Sequence, residues 1–350
     1  MYYFNSDYTE GAHPQILQAL IDTNMDQTPG YGTDEYCEKA RRKIQQELGR
    51  DDAAVHFLVG GTQTNVTFIA SVLRPYEGAI CAPTGHINVH ETGALEATGH
   101  KCLALSTGSE EDLAAVKDGK ITATQIEKAI LGQKNNDAWE HIVKPGIVYI
   151  SQPTELGTLY SLNELTAISK VCRQYQVPLF VDGARLSYAL GAPANDVTIQ
   201  DLAELSDAFY IGGTKVGLLF GEALVIMNPA LQVNFRYNIK QNGGMLAKGR
   251  LLGVQFAAAF TDGLYYEMGR HAMRLALKLK QAFVDHGYEL YADSPTNQQF
   301  VIMPDTKLNE LKKDFIFEYQ TRIDETRSAV RFCTSWATKE EAIDQLIAAL

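Results

Sequence analysis

Three short segments hold residues whose type and setting could do chemistry. The first is YIGGTKVGLLFGEALV, Tyr210 to Val225, where Lys215 follows an apolar run and lies among small residues. A lysine stem normally reaches water, and a crowded, low-polarity turn pushes the amine toward its neutral, nucleophilic form. The same segment also reads as an exposed lysine between two strands. The second is PLFVDGARLSYA, Pro178 to Ala189, with Asp182 at the carboxyl end of an apolar run and Arg185 three residues on. Open α/β sheets bind ligands at such strand ends, and a buried carboxylate needs a cationic partner. That partner is either a ligand or Arg185 itself. The third is VGGTQTN, Val59 to Asn65. Its glycines permit a tight turn, and the N–H groups of a helix opening there suit phosphate. It matches neither the dinucleotide fingerprint nor a Walker A loop, and taken alone it is a glycine-rich turn that binds nothing.

The elements that must position these residues follow from apolar patterning. Candidate strands are Ala54–Val59, Ala79–Ala82, Lys101–Leu105, Ile147–Ser151, Leu179–Asp182, Ala208–Ile211 and Ala223–Met227. Helical spacing marks Asp34–Leu48, Thr122–Leu131 and Leu162–Tyr175, the last preceded by Ser161 with Glu164 as a capping box. Strands apolar throughout, alternating with helices, predict an α/β fold with a mostly parallel seven-stranded sheet between helices. After about Arg250 the rhythm changes. One long helix is expected over Leu251–Asp285, then strands near Phe300–Met303, Phe315–Glu318 and Ala329–Cys333, and a last helix Lys339–Leu350. This predicts an arm at 1–11, a large domain at 12–249 and a smaller α+β domain at 250–350.

The chain has 350 residues and a formal net charge of −11, which argues against a nucleic-acid or anionic-membrane surface. No apolar run reaches the ~20 residues of a membrane helix. Five scattered cysteines with no C-x-x-C spacing argue against a disulfide framework or a structural zinc site, and no metal is expected. The amino terminus does not read as a signal peptide, so a cytoplasmic protein is expected.

A phosphate cradle, a strand-end carboxylate and an amine, in that order on an α/β sheet, are the parts that hold pyridoxal 5′-phosphate: lysine for the aldehyde, carboxylate for the ring nitrogen, N–H donors for the phosphate. At this point the sequence resembles the low-specificity L-threonine aldolase group of fold-type I enzymes, in the β-eliminating lyase family. The resemblance runs over nearly the whole chain. It is carried by Asn5-Ser6-Asp7-Tyr8-Thr9, Tyr31-Gly32-Thr33-Asp34, the GGTQTN loop, Gly85-His86-Ile87 through Glu91-Thr92-Gly93, DGAR, the T-K-V-G turn and Val330-Arg331-Phe332-Cys333-Thr334.

The resemblance implies that Lys215 bonds the cofactor, Asp182 pairs with the ring nitrogen and Arg185 with the ring's phenolic oxygen. It implies Gly61, Thr62 and Gln63 at the phosphate, and His86 stacked on the ring. It further implies Arg331 with Ser6 on the substrate carboxylate, Tyr31 reaching a neighbouring subunit, Lys240 near phosphate, and a homodimer or homotetramer. Where the family reads E-N-T-H-N, this chain reads Ser151-Gln152-Pro153-Thr154-Glu155, so Thr154 stands at the histidine's place. The implied reaction is retro-aldol cleavage of a small amino-acid substrate, a β-hydroxy-α-amino acid, to glycine and an aldehyde. His86, Glu155 or a water on Thr154 remain open as the base. β-Elimination or transamination on the same cofactor is the alternative, and a non-catalytic binding protein of the same fold is a third reading.

Overall fold

A computed structural model describes residues 1–106 and 108–350. The strands are β1 (Tyr2–Tyr3), β2 (Ala54–Leu58), β3 (Glu77–Cys81), β4 (Lys101–Ala104), β5 (Lys144–Ser151), β6 (Leu179–Asp182), β7 (Ala208–Gly212) and β8 (Glu222–Ile226). Five more follow: β9 (Glu289–Ala292), β10 (Gln298–Pro304), β11 (Phe315–Ile316), β12 (Glu318–Arg322) and β13 (Arg327–Cys333). β2 to β8 form one seven-stranded sheet in the order β2-β8-β7-β6-β5-β3-β4. β8 runs antiparallel to both neighbours, and every other pairing in the sheet is parallel.

Every residue of β3, β6, β7 and β8 is buried, as expected of strands covered on both faces. Alternation along each strand divides their side chains. Val148, Ile150, Val181, Ile211 and Val225 face a core built with helices Glu35–Leu48, Leu162–Tyr175 and Arg250–Ala259. Ile147, Tyr149, Phe180, Tyr210 and Leu224 face helix Gly61–Val72. By the same alternation Asp182 stands on the Phe180 face. Capping fixes the helix ends. Asp34 accepts the Cys37 N–H at 2.9 Å, and Ser161 and Glu164 form the reciprocal box expected there.

The expected single helix from Leu251 to Asp285 is two, Arg250–Ala259 and Leu264–Asp285. Asp262 (φ 52°) and Gly263 (φ 75°) take the left-handed region, which an α-helix cannot continue through. The apolar periodicity on either side concealed this break. The strand expected at Phe315–Glu318 divides into β11 and β12. β9, whose side chains alternate exposed and half-buried at a sheet edge, was too polar to stand out.

The second sheet, in the order β12-β13-β10-β9, is antiparallel and carries the smaller core, with Leu275, Leu279 and Phe283 packed beneath it. The layers do not part at 249/250. Helix Arg250–Ala259 and the first half of the next helix pack into the large core, so the change of core falls midway along Leu264–Asp285. The amino-terminal arm joins both parts. β1 pairs in parallel with β11, Phe4 enters the small core, and the Cys333 N–H donates to the Phe4 carbonyl at 2.7 Å. All five cysteines are buried and free.

Candidate active site

The carboxyl ends of β5, β6 and β7, the start of β8 and the start of helix Gly61–Val72 enclose a cavity of about 250 Å³. Its lining includes Lys215, Asp182, Arg185, His86, Gly61, Thr62, Thr154, Glu155 and Glu222. Lys215 stands in the turn between β7 and β8. Tyr188 fixes that turn from below, its hydroxyl donating to the Lys215 carbonyl at 2.5 Å. Burial, reinforced by the Arg185 charge, holds the Lys215 amine below its ordinary range despite the opposing fields of Asp7 and Asp182. Its Nζ lies 6.0 Å from the centroid of the Tyr8 ring.

Asp182 ends β6 with only 4% of its surface exposed. Its Oδ2 accepts the Tyr149 hydroxyl at 2.6 Å and Asn65 Nδ2 at 3.1 Å, while Oδ1 accepts the Ala184 N–H at 3.0 Å. Burial alone would raise its pKa. His86 and the donors from Tyr149, Tyr210 and Ala184 reverse that, so the carboxylate is stabilised in its charged form. Asn65 also donates to Glu91 Oε1 at 2.8 Å, and the same oxygen lies 2.7 Å from His86 Nδ1. Burial disfavours a charged His86 ring, but the Glu91 hydrogen bond with the Asp182 and Glu91 charges outweighs it, and the net shift is upward. With Nδ1 assigned as the donor to Glu91, Nε2 is the ring's acceptor.

Also in the cavity lining, Gly60 caps helix Gly61–Val72 in extended conformation. The first N–H groups of a helix have no intrahelical partner, and they carry the positive end of its dipole. Backbone approach here depends on Gly61, where a Cβ would stand 3.1 Å from the Tyr210 hydroxyl. An amine held toward neutrality, an ionised carboxylate and an open helix terminus thus line one cavity. That donor set fits pyridoxal 5′-phosphate.

The family model described as "Beta-eliminating lyase" matches residues 4–306. The chain belongs to the beta-eliminating lyase family. Within it, the chain is 32% identical to the low specificity L-threonine aldolase of Pseudomonas sp. (strain NCIMB 10558), covering 99% of this chain and 96% of that one. It is also 32% identical to the enzyme of that name from Pseudomonas aeruginosa, over 98% and 95% of the two chains. Among solved structures, a threonine aldolase of Leishmania major superposes with a TM-score of 0.94 at 44% identity, covering 99% of this chain and 98% of that one.

Within this lyase fold several residues expected at the site stand elsewhere. Arg331 does not line the cavity. Its guanidinium donates to Gln298 Oε1 and the Asn5 carbonyl and pairs with Glu318, leaving Nε without a partner among the described residues. Ser6, though buried, is also outside the lining. Tyr31 lies half-exposed with Lys240 Nζ 4.9 Å from its ring centroid, and neither reaches the cavity. The Gln63 side chain instead ties the loop to its surroundings, accepting from the Val59 N–H at 3.2 Å and donating to the Asn242 carbonyl at 3.1 Å. Thr154 lines the cavity, but its hydroxyl engages Thr158 at 2.7 Å and the Asp118 carbonyl at 3.3 Å.

Arg185 lines the cavity in an unexpected partnership. Its Nε and Nη2 donate to Asp7 at 2.6 and 3.1 Å, and only Nη1 is without a protein partner among the described residues. Sequence reasoning assigned no role to Asp7, Asn65, Tyr149, Glu91, Tyr210 or Glu222. Tyr149, Asp182, Tyr210 and Glu222 sit on one sheet face at facing ends of neighbouring strands, a relation that strand order creates and spacing along the chain conceals. Asp7, Asn65, Glu91, Tyr210 and Glu222 all lie in segments the sequence singles out and only Tyr149 lies outside them, but none carries a local sign of its partner.

Proposed function

We propose that this chain is a pyridoxal 5′-phosphate-dependent aldolase that cleaves L-threonine-type β-hydroxy-α-amino acids to glycine and an aldehyde. The observation that carries this reading is Lys215 and Asp182 lining one cavity that opens on the amino end of helix Gly61–Val72. Lys215 Nζ would hold the cofactor covalently, Asp182 would keep its ring nitrogen protonated, and the N–H groups at Gly61 and Thr62 would seat its phosphate. When bound, the cofactor supplies an electron sink for the pair released as the Cα–Cβ bond breaks.

The other residues orient substrate and move the proton. Arg185 Nη1 is the guanidinium nitrogen left for ligands at the cavity wall, so it takes the substrate carboxylate or the ring's phenolic oxygen. Arg331 supports the arm through the Asn5 carbonyl. His86 lines the cavity wall and would face the cofactor ring and accept the β-hydroxyl proton at Nε2, with Glu91 holding Nδ1–H and stabilising the charge that forms. Such proton transfer contributes typically ~10²–10⁴-fold. Thr154 is a poorer candidate because its hydroxyl is already engaged. Glu155, pushed up by burial and accepting from Ser151 Oγ at 2.7 Å and the His86 N–H at 2.9 Å, positions His86 instead.

The exposed apolar side chains Leu17, Ile21, Met25, Tyr31 and Tyr237 support a homodimer or homotetramer. Buried free cysteines suit a cytoplasmic setting. Incubation with L-threonine, L-allo-threonine and β-phenylserine is expected to give glycine and the matching aldehyde. Pyruvate or another keto acid in place of glycine overturns the aldolase reading in favour of elimination or transamination.

A further inference from the structure

Glu222 opens β8 at the rim of the cavity and has no part in the chemistry above. Register explains its place: it lies opposite Leu58 of β2 and Gly212 of β7, and Leu58 runs directly into the Val59–Thr62 turn. Only 3% exposed, it lines the cavity together with Val59, Gly60, Gly61 and Thr62. Oε1 accepts the Thr214 hydroxyl at 2.8 Å and Oε2 the Gly213 N–H at 3.0 Å. Thr214 Oγ1 in turn accepts the Gly221 N–H at 3.0 Å. The titratable groups facing it are Lys215 in the turn, Asp182 on β6, Tyr210 on β7 and Tyr265 on helix Leu264–Asp285. From β2 the facing residue is apolar Leu58, and helix Arg250–Ala259 brings apolar Leu252 and Phe256 against Gly221.

Burial, only partly offset by Thr214, Gly213 and Lys215, pushes this carboxyl up to about 8. At neutral pH it therefore carries its proton. An ionised carboxylate beside a phosphate site would repel the ligand, whereas a carboxylic acid has an O–H to donate.

We propose that Glu222, as a neutral acid, donates a hydrogen bond to the phosphate of pyridoxal 5′-phosphate, so that binding of the phosphorylated cofactor weakens once this acid is deprotonated. The proposal rests on the cofactor reading given above. The sign follows from linkage. A bound phosphate favours the protonated acid, so affinity is full below the acid's pKa in the free protein and declines above it, by up to roughly tenfold per pH unit.

The test uses pyridoxine 5′-phosphate, whose alcohol cannot bond to Lys215, titrated calorimetrically from pH 7 to about 9.5 with phosphorus NMR of the bound ester. Wild type is expected to weaken above about pH 8, with the phosphorus shift moving over the same range. Glu222→Gln, which keeps an N–H donor but cannot ionise, should lose both changes and bind roughly tenfold more tightly than wild type at pH 9. Glu222→Asp should keep the alkaline break. Superimposable wild-type and Glu222→Gln profiles overturn the proposal alone. No binding of this probe or of pyridoxal 5′-phosphate by wild type overturns the cofactor reading and the proposal together.

Discussion

Replacing Asp7 by Ala tests how the arm and the cavity depend on one another. Asp7 is fully buried and takes three hydrogen bonds, two from Arg185 (2.6 and 3.1 Å) and one from Asn297 Nδ2 (2.9 Å). Burial opposes its charge, but Arg185 and Lys215 outweigh that penalty, and its pKa is held below the usual carboxylate range. Removing the acid strands the Arg185 guanidinium, whose side chain is only 13% exposed. Breaking one side of such a pair costs about 3–5 kcal/mol. For a chain of 350 residues, unfolding entropy near ~2.1 cal/mol/K per residue converts that loss to a Tm lower by about 4–7 °C. Because Asp7 is one of the charges that raise the Lys215 pKa, the variant should also form its cofactor bond at lower pH than wild type. Calorimetry and a visible-absorbance pH titration of cofactor binding read the two effects separately. A Tm within about 1 °C of wild type, together with an unmoved amine titration, would refute the claim that Asp7 holds Arg185.

Other perturbations have equally definite outcomes. Lys215→Ala should abolish both borohydride trapping of the cofactor and glycine release, and survival of either removes this lysine from its role. Gly61→Val places a side chain where even a Cβ would stand 3.1 Å from the Tyr210 hydroxyl, so cofactor affinity measured by equilibrium dialysis should fall at least tenfold with little change in secondary structure. His56, depressed to about 4 chiefly by burial and then by the Arg41 and Arg236 charges, should make the fold acid-sensitive. Its folded pKa lies below the unfolded value, so stability is intact above about pH 6.5 and falls by up to about 3 kcal/mol as pH drops toward 4. Urea midpoints over that range should fall less steeply in His56→Gln, and an identical slope would assign the effect to other groups.

The sequence by itself determined the seven strands of the main sheet, to within a few residues at their ends, because the central strands, buried on both faces, are largely apolar and the edge strands β2 and β4 still carry short apolar runs between helical patterns. It also placed Lys215, Asp182 and the Gly61 turn as the three fixed points of the cavity, since amine, strand-end carboxylate and glycine-opened helix have local signatures. Local pattern could not show the helix break at Asp262–Gly263, because the apolar stripe resumes beyond it. Nor could it show which arginine meets the cavity. Arg185 and Arg331 both sit in suggestive motifs, and only packing decides that Asp7 draws one to the cavity wall while Glu318, Gln298 and Asn5 hold the other away. The protonation states were the most hidden feature. They depend on burial and on neighbours far apart in the chain, such as Tyr149 and Asn65 around Asp182 or Lys215 beside Glu222, and those neighbours meet only when the sheet has assembled.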